Sequence, residues 1–193
     1  MVSPAFPVTG DETADRLLVT DPLALLVGML LDQQVPMEWA FRAPSTLKQR
    51  LGDCFDASAI AAMDPEALVA VFCEKPALHR YPAVMARRLH ALSVQLVERY
   101  GGDPASVWDG VESGAELFDR IRALPGFGDE KARIFLALLA KRFGRQPEGW
   151  QESAGPFADG HPRSVADISS REAFAKVREW KKAQKAVGKG KAD

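Results

Sequence analysis

Two cysteines and three histidines leave this chain little with which to hold a metal. An iron–sulfur cluster takes four thiolates and a structural zinc four Cys/His ligands. Cys54 and Cys73 supply half of either set, and His79, His90 and His161 fall into no HExxH-like spacing. The expectation is therefore no metal, and two buried thiols rather than a disulfide, as suits a reducing cytoplasm. No apolar run approaches the roughly 18 residues that cross a membrane, and the longest, Leu23 to Leu31, is too short. The opening MVSPAFPVTGDETAD lacks the basic start and apolar stretch of a secretory signal. These shortages predict a cytoplasmic protein without membrane contact. Strand-type alternation is scarce as well: RLLVT at 16–20 could be read that way, but it is short and isolated.

What is abundant is helical periodicity. With 193 residues and 47% hydrophobic content, the chain suits one globular domain or one bilobed unit with a single extended core. Apolar spacing predicts an all-α chain, with helices over 12–19, 22–34, 36–43, 45–51, 57–62, 65–73, 82–100, 104–109, 114–123, 129–143 and 170–187. Three Asp-Pro pairs, at Asp21, Asp64 and Asp103, mark helix starts: aspartate accepts from the free amides, and proline is pre-set for the first helical position. Ser113 and Glu116 have capping-box spacing. The expected organisation is a helical core over 1–145, a Gly/Pro-rich loop over 146–168, and a C-terminal basic helix and tail over 169–193 that packs on the same unit. Loops of that length are often functional, the alternative being a plain connector. The net charge of −1 hides an asymmetry: residues 171–193 carry +5 and the remainder −6. A basic tail on an acidic body fits nucleic acid, or else a solubilising helix.

The most specific segment is Leu124-Pro125-Gly126-Phe127-Gly128-Asp129-Glu130-Lys131-Ala132, inside a helix–turn–helix over 117–135. Glycines permit positive φ and leave no side chain between backbone and ligand. The helix start that follows presents unpaired N–H groups and a positive dipole end, a setting for phosphate. Such a turn can grip a nucleic-acid backbone without reading bases; by turn chemistry alone it could equally be an ordinary corner between helices. The segment resembles the hairpin of the helix-hairpin-helix (HhH-GPD) base excision DNA repair glycosylases. That superfamily includes endonuclease III, the adenine and 8-oxoguanine glycosylases and bacterial alkyl-adenine enzymes. Upstream, LLVGMLLDQQV at 25–35 resembles the superfamily's helix ending in glutamines, where the glutamine lies near the gap left by an extruded base. The two matches cover about residues 20–145.

The resemblance implies two helical lobes with a DNA-facing cleft, double-stranded DNA as partner, and a monomer. It implies a member without an iron–sulfur cluster and leaves room for a monovalent cation at the hairpin. DNA contacts are expected from Gln33, Gln34, Leu124, Pro125, Gly126, Phe127, Gly128 and Lys131, with Arg87 and Arg88 on phosphate. Phe127 is expected between the hairpin helices. A base pocket is expected from His79, Arg80, Tyr81 and Trp39. For each of these side chains core packing or surface pairing is the competing role.

A glycosylase extrudes a nucleotide at a cost of about a few kcal/mol and needs negative charge near the sugar as the glycosidic bond weakens. Lyase-competent relatives add a lysine two residues after the second glycine; Glu130 occupies that position here, and Lys131 comes one residue late. One residue turns a helix by about 100°, which predicts monofunctional cleavage without a Schiff base. Glu130 could serve as a second carboxylate or simply as a solvated helix-start glutamate. No V-D-x-H motif follows the hairpin, so the catalytic aspartate is expected at Asp167, with Asp159 as the other candidate; either requires an insertion relative to the family. Asp167 could also be a helix cap and nothing more. Three functions follow: a monofunctional glycosylase for a damaged base, a lesion-binding module that has lost its aspartate, and a bifunctional enzyme using Lys131.

Overall fold

A computed structural model describes residues 6–188 and Gly190. Among the described residues the secondary structure is helical, without strands, and a lone parallel bridge joins Ser113 to Glu148. No helix of these residues is long and apolar enough to cross a membrane. Among the described residues the chain divides into two compact units: Thr9–Val107 with Leu124–Gly126 form the first, and residues 6–8, Trp108–Ala123 and residues 127–188 form the second. Residues 1–5, which open the segment read for a signal, and 189 and 191–193 of the basic tail lie outside the described residues.

The first unit contains α1 (Glu12–Thr20), α2 (Pro22–Leu31), α3 (Met37–Leu51), α4 (Ala57–Ala62), α5 (Pro65–Cys73) and α6 (Pro82–Tyr100). RLLVT belongs to α1. The first two Asp-Pro pairs cap α2 and α5: Asp21 accepts from Leu23 and Ala24 N–H at 3.1 and 3.2 Å, and Asp64 from Glu66 N–H at 2.9 Å. The third starts only a 3-10 turn, Pro104–Val107, shorter than the helix predicted to 109. All of α2 after Pro22 is buried, and each buried leucine contributes roughly 1.5–3 kcal/mol. At Gly28, α2 approaches α3 so closely that a Cβ would lie 2.6 Å from the Phe41 ring.

Three expectations need correcting here. Helix α3 runs unbroken through Pro44, because burying Ala40, Phe41, Ala43 and Leu47 offsets the hydrogen bond proline removes. Helix α2 stops at Leu31, three residues short of the predicted 34. Pro36 excludes its neighbour Val35 from helical geometry, so the glutamines fall in a turn. Cys54 and Cys73 are free thiols as expected, but both are exposed.

The second unit contains α7 (Gly114–Arg122), α8 (Asp129–Phe143), α9 (Trp150–Ala154) and α10 (Arg171–Ala186). Its centre is α8, buried continuously from Ile134 to Ala140. The predicted loop over 146–168 is instead largely helical turns, α9 followed by Gly155–Ala158 and Val165–Asp167. Burial of Ala154, Phe157, Val165 and Ala166 gives this Gly/Pro-rich stretch a core of its own.

Candidate nucleic-acid interface

The hairpin consists of α7, the turn Leu124-Pro125-Gly126-Phe127, and α8. Ser113 caps α7 by accepting from Glu116 N–H at 3.2 Å, and the Glu116 carboxylate pairs with Arg120. Leu124 and Phe127 are buried, and the Phe127 ring packs on Phe135 at 6.0 Å. Their side chains turn inward, so any contact of these two residues with a strand is through backbone. Gly126 and Gly128 are exposed, for different reasons. Gly126 has φ +84, and a Cβ there would overlap Leu30 Cδ1 and lie 3.6 Å from the Arg88 stem. Its backbone and packing both require glycine.

Gly128 has an ordinary extended backbone, φ −107 and ψ −178, and nothing lies within 4 Å of where its Cβ would be. It is the N-cap of α8, and no side chain caps that helix. Serine or aspartate would serve stability better at this position. A bare, open N-cap leaves the positive end of the α8 dipole approachable. The charges beside it are balanced. Asp129 and Glu130 occupy the first turn, Arg122 pairs with Asp129 at 3.4 Å, and the Lys131 ammonium lies 5.6 Å from the Phe127 ring centre.

The first unit brings several other predicted residues together. Gln33 is half-buried and held at four points. Its Nε2 donates to Leu30 O at 3.0 Å and approaches Met85 Sδ at 3.3 Å, and its Oε1 accepts from Arg88 Nη1 at 3.1 Å. Its carbonyl meets His79 Nε2 at 3.0 Å. His79 Nδ1 faces the Tyr81 N–H at 3.0 Å, so Nδ1 must accept and Nε2 carries the proton donated to Gln33. His79 is 1% exposed, which rules it out as a stacking surface; it ties the glutamine turn to the turn before α6.

Gln34 is exposed and takes φ +55, a left-handed conformation that costs a non-glycine residue about 1–2 kcal/mol. Trp39 and Tyr81, 40% and 43% exposed, stand 6.5 and 6.2 Å from the His79 ring, with the Arg80 guanidinium 5.4 Å from Tyr81. Arg87 and Arg88, expected on phosphate, have partners within the chain: Arg87 binds Glu66 through two bonds of 3.0 and 3.1 Å, and Arg88 binds Gln33. Sequence reasoning missed Met85 and Glu66 as partners, since no spacing signal links them to residues so far along the chain.

Both candidate aspartates belong to the second unit and are already engaged. Asp167 Oδ1 takes Lys141 Nζ at 2.6 Å, while Oδ2 accepts from Arg163 and Ser164 N–H at 3.0 Å each, completing a capping box. The Lys141 and Asp167 side chains are only 14% and 10% exposed. Lys141 also donates to Asp159 O at 2.6 Å. Asp159 binds His161 Nδ1 and Arg163 Nε at 3.0 Å, and Arg163 in turn lies over Trp180. Burial pushes the Asp159 carboxyl up, but bonds from Arg163 and His161 outweigh it and hold the group below its ordinary value. The i,i+4 spacing of Asp159 and Arg163 was readable; the Lys141 partner was not. Among the described residues no three His, Cys, Asp or Glu side chains converge as a metal site. Two cysteines do not fit an iron–sulfur cluster.

No curated protein and no solved structure matches the chain. The family model of the HhH-GPD superfamily base excision DNA repair protein matches residues 27–189, a span that takes in the glutamine turn, the hairpin and all of α10. The chain therefore belongs to the HhH-GPD superfamily of base excision DNA repair proteins.

Proposed function

We propose that the chain is a monofunctional DNA glycosylase acting on a damaged base in double-stranded DNA. The observation that carries this reading is Gly128, a bare and open cap on a 15-residue helix, where neither backbone nor packing calls for glycine. Bare amides at a helix start suit a phosphate, and the family supplies the context of repair. Gln34, strained and exposed, suits the gap in the strand, and Trp39 and Tyr81 offer exposed rings to an unstacked base. A monovalent cation on the hairpin carbonyls belongs to the same reading.

In the reaction the C1′–N bond to the base breaks and water oxygen bonds to C1′. Water loses one proton to a carboxylate and the base leaves with one proton, supplied by solvent or by that carboxylate, so the step balances as a hydrolysis. The carboxylate also offsets positive charge on the sugar. Asp167 is the preferred carboxylate and Asp159 the other, with Glu130 as an auxiliary. Glu130 stands where a lyase lysine is expected, so no Schiff base is assigned. A panel of duplexes, each bearing one damaged base, followed by alkali, tests the reading: strand breaks at one lesion support it, and intact DNA across the panel refutes it. The engaged oxygens of Asp167 favour a second reading, a lesion-binding module without cleavage. It predicts tighter binding to one damaged duplex with no breaks after alkali.

A further inference from the structure

We propose that the outward face of α10 is a second, sequence-independent contact for the DNA backbone, separate from the hairpin. This rests on DNA being the partner. Helix α10 is capped by Ser170, which accepts from Ala173 N–H at 3.1 Å, and it buries Val177 alone. Ala173, Trp180 and Gln184 are half-buried, and at about 100° per residue they share one face with Val177. Arg163 lies over Trp180, which fixes that face against the unit.

Arg171, Arg178, Lys182 and Lys185 are all exposed. They fall within an arc of roughly 60° on the other side of the helix and extend over about 21 Å. Lys181 borders the stripe, while Glu172 and Glu179 lie roughly 100–120° round from Arg178. Within the stripe and its border, like charges recur at i,i+3 and i,i+4: Arg178 with Lys181 and Lys182, Lys181 with Lys185, and Lys182 with Lys185. Each such pair costs an isolated helix about 0.2–0.5 kcal/mol. Glu172 and Glu179 set acidic groups beside Lys176 and Lys182, but the exposed stripe itself carries one sign of charge, complementary to a polyanion.

Duplex DNA carries one charge per about 1.7 Å of axis, so a basic stripe of this length spans several phosphates. The remainder of the chain carries −6. A second copy's acidic body is thus the competing occupant.

The test is fluorescence anisotropy of the full chain on an undamaged labelled duplex, titrated from about 50 to 200 mM salt. K182Q and K185Q should each reduce the slope of log affinity against log salt by about 0.9. K176Q, the same charge change at an exposed site off the stripe, should leave it unchanged. Equal slopes for wild type, K182Q and K185Q overturn the proposal, as does an equal drop in K176Q. If G128L abolishes binding while K182Q and K185Q bind like wild type, the stripe fails and the hairpin reading stands. Failure of the wild-type chain to bind duplex at low salt overturns both. A dimer in sedimentation velocity that K182Q dissociates, without a slope change on DNA, assigns the stripe to a second copy and overturns the proposal.

Discussion

The two hairpin glycines should respond oppositely to substitution. G126A places a Cβ at φ +84 and against Leu30 Cδ1, a side chain 0% exposed and closely packed. The left-handed backbone costs about 1–2 kcal/mol and overpacking about 1–3, so the total is about 2–5 kcal/mol. For a chain of this size each kcal/mol shifts Tm by about 2–4 °C, which predicts a fall of about 4–20 °C. Gly128 has neither constraint. G128L loses up to about 1 kcal/mol of capping, partly offset by a less flexible unfolded chain, so Tm should move by less than about 4 °C. Yet its side chain stands where a phosphate would meet the amides. Losing one charge-assisted hydrogen bond, about 1.5–3 kcal/mol, should weaken duplex binding at least about tenfold. Thermal denaturation and anisotropy read the two effects separately. Wild-type affinity in G128L would refute the phosphate argument, and a wild-type Tm in G126A would refute the packing argument.

K141M leaves the Asp167 carboxylate buried without its cation, and breaking such a pair costs about 3 kcal/mol or more. Urea denaturation should show that loss, with K141M/D167N recovering part of it; an unchanged midpoint in K141M would count against the pair. Asp159 is held below its ordinary value of 3.8, so its contribution is present above that pH and fades as pH falls through the lowered folded value. D159N should therefore be less stable than wild type at pH 6, and the gap should close towards pH 3. A gap that widens on acidification would reverse the sign of this reasoning.

Local rules decided the parts of this fold that a few neighbouring residues can settle. An aspartate beside a proline starts a helix because both partners lie within three residues, as Asp21 and Asp64 do. The hairpin was legible because Gly126 and Gly128 flank one bend, and the glutamines because they close an apolar run. The segments that were misread depended on distant contacts. Pro44 stays helical because of what α3 buries, and the stretch after Gln146 folds because Phe157 and Val165 find a core. The same holds at the candidate site, where His79 was expected to meet a base and instead bonds to Gln33, which precedes it by 46 residues. Asp167 takes its charge partner, Lys141, from a helix 26 residues upstream. Sequence alone determined which residue types stand at which bends, since turns and caps are short-range. Tertiary structure alone decided which side chains remain available, since burial and pairing are set by parts of the chain that meet only once it has folded.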